Sequence, residues 1–146
     1  MKGTTSQYAN PMQKSYETLA PNLPEVNEFW AEAVEQIEVH SDSALFGEQT
    51  ETGLFPPTFQ FSDNRQEATR VAHEVATGKK TSFSTPLADF EDAGVALPAD
   101  GDMSIICDGD GHPVALISDT HVTTQWIQGH AQHKVVVETF EVIFKR

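Results

Sequence analysis

The turn Asp108-Gly109-Asp110-Gly111 lies between two apolar runs, Met103 to Cys107 and Val114 to Val122, and constrains the fold more than any other stretch. Asp and Gly supply the left-handed backbone positions of a β-hairpin, so the flanking runs read as antiparallel strands. A last strand, Val135 to Phe144, alternates Phe140, Val142 and Phe144 inward against Thr139, Glu141 and Lys145 outward. The C-terminal half is therefore sheet.

The N-terminal half has another period. From Pro24, Val26, Phe29, Trp30, Ala33, Val34 and Ile37 recur at helical spacing, with Glu28, Glu32 and Glu35 on the other side, which predicts an amphipathic helix ending near Val39. A second helix opens at Ser62-Asp63, with Asp63 as its cap and Gln66 three residues on, as in a capping box. Ala68, Val71, Ala72 and Val75 form its buried stripe, and Gly78 is its left-handed end. Lys79 to Thr85 reads as a short strand that Pro86 stops. Ser84 or Thr85 then caps a short helix from Pro86 to about Asp92, closed by Gly94. Between the first two helices, Gly47, Gly53 and Pro56-Pro57 punctuate a long loop, His40 to Thr58, pinned by Leu45, Phe46, Leu54 and Phe55. Helices early and strands late give an α+β class. Residues 1–22 are polar and without period and read as a loose N-terminal arm, leaving 23–146 as one domain.

Composition excludes several roles. No apolar run approaches the roughly 20 residues that cross a bilayer. The N-terminal stretch has two lysines and no apolar segment behind them, so no secretory signal is expected and the cytoplasm is the default compartment. The single cysteine, Cys107, excludes an internal disulfide framework and a multi-cysteine zinc site, and reads as a buried apolar residue. A net charge of −13 argues against wrapping a long duplex nucleic acid, because neutralising phosphates needs clustered cations. Arg65, Arg70, Lys79 and Lys80 nevertheless fall between positions 63 and 80 against three acids, Asp63, Glu67 and Glu74, so that segment is +1. A solvated helix face is the plain explanation of such a segment.

Three constellations could carry chemistry. Asp108-Gly109-Asp110-Gly111 matches the first residues of a calcium loop, but His112 and Pro113 then stand where an oxygen ligand and a Gly are needed, so it reads as a turn with no metal. His121, His130 and His133 lie near Trp126, yet three histidines without cysteine partners make surface histidines the simpler reading. In Gly78-Lys79-Lys80-Thr81-Ser82-Phe83-Ser84-Thr85, two ammonium groups precede four hydroxyls, a set that can hold an anionic or carbonyl-bearing ligand. The plain alternative is an ordinary helix exit into a Ser/Thr-rich strand. Strand alternation puts Lys80, Ser82 and Ser84 on one face and Thr81, Phe83 and Thr85 on the other, which makes the serines polar candidates and Phe83 core.

Several features in order resemble the ASCH family, a branch of the PUA-like β-barrels. They are Phe29-Trp30, Phe61-Ser62-Asp63, Gly78-Lys79-Lys80, Leu97-Pro98, Gly101-Asp102, the Asp108 to Gly111 turn, Pro113-Val114, Ile117, Thr120, Val122 and Phe140-Glu141-Val142, and they span about residues 29–144. The resemblance implies a small, mixed PUA-like barrel flanked by two or three helices, with a cleft lined by the Gly-basic-Lys segment and facing a nucleoside, nucleotide or short RNA. Some relatives remove an acyl group from the exocyclic nitrogen of cytidine, and others are linked to RNA binding or cleavage. The hydrolases' implied machinery is a Lys, a Thr three residues later and a Glu between the last two strands. Lys80 matches the first; Phe83 stands in place of the Thr; Thr123 to Lys134 contains no acid, and neither Glu138 nor Glu141 maps onto the family Glu.

Three functions follow. In a binding module, Lys79, Lys80, Thr81, Ser82 and Arg70 would engage the ligand and Trp126 would stack on a base, although such a Trp is more often packing. In an amidohydrolase, Lys80 would be the base and Ser82 or Ser84 would replace the missing Thr hydroxyl. In a regulatory domain the cleft would be vestigial, filled by Phe83 and loop side chains. No metal, cofactor or membrane is expected in any of them.

Overall fold

The structure, a computed structural model, describes residues 15–40, 55–127 and 130–146. Helix α1, Leu23–His40, begins where Asn22 Oδ1 accepts the free backbone N–H of Glu25, and it buries Val26, Phe29, Trp30 and Ala33 along one side. Strand β1, Thr58–Phe59, lies in what the sequence presents as the end of a loop. Leu45, Phe46 and Leu54 of that loop lie outside the described residues, whereas Phe55 packs against the α1 core.

Helix α2, Arg65–Ala76, starts one residue later than the expected cap: Asn64, not Asp63, accepts the Glu67 N–H at 3.0 Å. Asn64 wins because Ser62 Oγ, accepting the Asn64 N–H at 3.0 Å, fixes the chain so that the Asn side chain meets the helix end. The buried stripe Ala68, Val71, Ala72 and Val75 and the left-handed Gly78 (φ +82°) are as the spacing indicated. Strand β2 is Ser82–Pro86 and helix α3 is Leu87–Ala93, closed by left-handed Gly94. Pro86 itself occupies the helix cap position without a side-chain bond, so neither Ser84 nor Thr85 caps α3. Pro86 is tolerated inside β2 because β2 is an edge strand.

Strands β3 (Met103–Cys107), β4 (Pro113–Ile127) and β5 (His130–Lys145) complete a five-stranded sheet in the order β1-β3-β4-β5-β2. Among the described residues only β1 and β3 pair in parallel; the other ladders are antiparallel. The expected barrel closure is not seen: β1 and β2 are both edges and share no ladder among the described residues. They meet by side chain, with the rings of Phe59 and Phe83 stacked at 5.5 Å between centroids.

Both faces of this sheet are covered. Ile105, Cys107 and Leu116 pack on α1, while Ile106, Ala115 and Ile117 pack with Ala72 and Val75 of α2. Burial pushes the Cys107 thiol up to about 12, with the Asp108 and Glu25 charges adding to it, consistent with an inert core residue. A register shift between Leu116 and Ile117 skips Ile143, pairing Leu116 with Phe144 but Ile117 with Val142. The shift breaks the expected alternation of the last strand. Phe140 and Val142 serve the α2 core, whereas Phe144 joins Phe29 on the α1 side, their rings 5.1 Å apart.

The segment expected to be a loose arm is described from residue 15. Its backbone bonds to the body: Thr18 N–H to Asp63 O, Leu19 N–H to Gly109 O and Asn22 N–H to Gly111 O, all within 2.9 Å. Gly109 is needed here, since a Cβ on it would lie 2.0 Å from the Arg65 carbonyl oxygen.

A sheet buried on both faces makes a definite mutational prediction. Leu116→Ala and Ile117→Ala, neighbours on opposite faces, should each lower the unfolding free energy by about 2–5 kcal/mol in urea titrations. One large and one negligible cost would mean that only one face is packed.

Candidate functional site

Strands β2, β4 and β5 place the site. The register sets Phe83 opposite Glu138 and Thr85 opposite Val136, so Phe83, Thr85 and Glu138 share one face of the sheet. In β4, Asp119 stands opposite Phe140, two residues along β5 from Glu138 and on the same face. A second register shift, between Asp119 and His121, follows directly. The backbone of Asp119 is held from both sides: its N–H donates to Asp102 O at 2.8 Å and its carbonyl accepts from Gly101 N–H at 2.7 Å. The β4 bulge and the turn before β3 therefore aim this carboxyl together.

These residues surround a cleft of about 590 Å³. Ile106 and Ile117 line its base; Phe59 and Phe83 line one side, with Phe90, Leu97 and Pro98 from α3 and the linker after it. Asp102, Asp119 and Glu138 are its acidic groups, and neither Lys nor Arg is among the described lining residues. Its size and its apolar lining with a few convergent polar groups are those of a small-molecule site. Phe83 forms one side of the cleft without filling it.

Asp119 and Glu138 are buried, 6% and 9% exposed, and their carboxyl groups are hydrogen-bonded to each other. Carboxylates only accept, so the bond requires a proton on one of the two. Burial, then the Asp119 contact and charge, and then Asp102, push Glu138 up to about 8. Asp119 is also raised, chiefly by burial, with the bond from Glu138 opposing and the charges of Asp102 and Asp100 adding. The pair thus holds one proton at neutral pH, engaged in the hydrogen bond between the two groups, and its remaining oxygens are acceptors.

The residues singled out from sequence lie elsewhere around this cleft. Lys80 and Thr81 line a separate depression of about 230 Å³ beside the end of α2. The Lys80 ammonium sits 5.5 Å from the centre of the Phe61 ring, which meets Phe59 and Phe83 edge-on. Lys79 is exposed. Ser82 and Ser84 are exposed on the face of β2 opposite Phe83 and Thr85. Arg70 is tied along α2 to Glu67 and Glu74. Trp126, 59% exposed, lines a third concavity at the far end of β4, with the Lys134 ammonium 4.7 Å over its ring. Lys80 and Thr81 thus come together, and Arg70, Trp126 and the serines are apart from them. In the Asp108 turn, the carboxylate accepts the N–H groups of Asp110 and His112 at 3.0 and 2.9 Å, which is turn chemistry.

Asp119 and Glu138 were not singled out from sequence, yet a signal was there. Glu138 has the inward parity of Phe140, and Asp119 that of Ile117, so each is an acid on a buried strand face.

A carboxyl raised in the folded state stabilises fully below its unfolded value, and that contribution is lost as pH rises through the folded value. The window for Glu138 runs from about 4.5 to about 8. Thermal unfolding should show a loss across it, on the order of a few kcal/mol, that Glu138→Gln largely removes. Parallel profiles for the two proteins would contradict a buried, protonated Glu138.

Comparison with known proteins bears on this site. No functionally curated protein matches the sequence. Two crystal structures share the fold. A protein from Enterococcus faecalis V583 is 20% identical with a TM-score of 0.68, covering 85% of this chain and 95% of its own. An ASCH domain from Lactobacillus crispatus JV V101 is 14% identical with a TM-score of 0.65, covering 82% of this chain and 94% of its own. The family model of the ASCH domain matches residues 58–129, which carry β1 to β4 with Phe83 and Asp119. Residues 58–129 match the ASCH domain family, and the chain has the fold of a solved ASCH domain.

Proposed function

We propose that the cleft binds a nucleoside, or a single unstacked base of a short RNA, in a binding or regulatory role. The observation that carries this reading is the cleft of about 590 Å³ with aromatic rings on one side and the Asp119–Glu138 pair among its lining. A planar heterocycle stacks on an aromatic ring whatever its identity, and the acceptor oxygens left on a singly protonated carboxyl pair can receive the amino or ring N–H of a base edge. Acids without a lining cation favour the nucleoside over its phosphorylated forms. Lys80, one ring removed from the cleft across Phe61, is the group placed to meet a phosphate that extends from it. Lys79 and Thr81 adjoin that position; Ser82, Arg70 and Trp126 would serve a longer ligand.

A hydrolytic reading draws on the same pair, since a carboxylic acid beside a carboxylate is an acid and base in contact. It favours deacylation of a modified cytidine with Asp119 and Glu138 in the proton transfers. Lys80 as base and Ser82 or Ser84 as hydroxyl would require a substrate reaching from the cleft around the edge of β2.

Calorimetric titration with adenosine, cytidine and their 5′-monophosphates tests the binding reading. Phe83→Ala should weaken nucleoside binding about tenfold or more. Lys80→Ala should weaken the monophosphates while sparing the nucleosides. Absence of nucleoside binding to the native chain, or indifference to Phe83→Ala, would overturn it.

A further inference from the structure

Resting on the nucleoside reading, we infer that the cleft selects nucleosides whose base is positively charged, such as N-methylated adenine or cytosine, the cation taking the place of the proton held between Asp119 and Glu138. Three features converge on this. Both residues are nine-tenths buried and line a cleft of about 590 Å³, room enough for a nucleoside. Every charged group facing them is acidic: Asp102 and Asp100 from the turn before β3, with none from β2 and no cation among the described lining residues. The Lys80 ammonium is over Phe61 and Lys80 lines a separate depression. Lastly, Phe59 and Phe83, stacked on each other, both line the same cleft, and an aromatic ring attracts a cation, most strongly where water is excluded.

An empty cleft keeps the pair at one negative charge by retaining a proton. A neutral base leaves that proton in place and gains only stacking and hydrogen bonds. A cationic base supplies the positive charge itself, so both carboxyls ionise and the displaced proton passes to the buffer. The bound state then has two carboxylates, one cation and a stacked ring, with the same single net negative charge as the empty cleft, and it adds the attraction between the cation and the aromatic rings. Selection therefore shows in two linked quantities, a tighter complex and a released proton.

The test is calorimetric titration of the native chain at pH 7 with adenosine against 1-methyladenosine and cytidine against 3-methylcytidine, in two buffers of different ionisation enthalpy, with choline as a cation lacking a base. The methylated member of each pair should bind at least about tenfold more tightly and release close to one proton. Glu138→Gln and Asp119→Asn, checked for folding by circular dichroism, should reduce the affinity ratio to about twofold and abolish the release. Parent and methylated nucleosides binding equally, or a preference that survives both substitutions, would overturn charge selection while leaving the nucleoside reading intact. Choline binding with proton release in the absence of any nucleoside binding would keep charge selection and overturn the nucleoside reading. No binding by any probe would overturn both.

Discussion

The antiparallel ladder of β4 on β5 carries both hydrophobic cores and the acidic pair of the cleft, and the first two of its three register shifts determine which side chain serves which. The shift at Leu116 and Ile117 lets successive residues of β4 and β5 feed the α1 core and then the α2 core. The shift after Asp119 lies where the strand leaves the packed part of the sheet. Between them, Ile117 and Asp119 occupy the same face two residues apart, one closing the α2 core and the other entering the cleft. The acidic pair is thus an extension of core geometry, held with the precision of a packed strand.

That placement explains the electrostatics. A carboxyl on an exposed strand would ionise freely, but these two stand beside Ile117 and Phe83 at the edge of an apolar cluster. Burial disfavours two charges, and proximity lets one proton satisfy both groups. The aromatic side of the cleft has a related origin. Edges β1 and β2 share no ladder among the described residues, and a ring from each, Phe59 and Phe83, stacks on the other. An open edge lined with rings leaves room for a ligand.

Much of the fold was legible because period and position agreed. Phe29, Trp30 and Ala33 marked α1, the Asp108 turn marked the β3–β4 hairpin, and Phe83 was assigned to the inward face by parity. The difficulties came where a rule of alternation met an irregularity. Phe144 changed faces because a bulge at Ile143 inserts one residue, and no residue type in Val142-Ile143-Phe144 announces it. β1 escaped notice because two residues are too few to show a period. At the site, attention went to lysines and hydroxyls, the residues with visible chemistry in an acidic chain. Asp119 is one acid among 22, and Glu138 enters only as a residue that does not map onto the family Glu, although their parity with Ile117 and Phe140 marks both as inward. An acid is ordinary until its strand face is known to be buried.

The account stands on the proton shared by Asp119 and Glu138, and carbon-detected NMR of glutamate carboxyls measures it directly. The Glu138 signal, assigned by its loss in Glu138→Gln, should titrate near pH 8, well above the ordinary value of 4.5, and should report a protonated carboxyl at pH 7. A midpoint near 4.5 would show two independent carboxylates at neutral pH and contradict the account of the cleft.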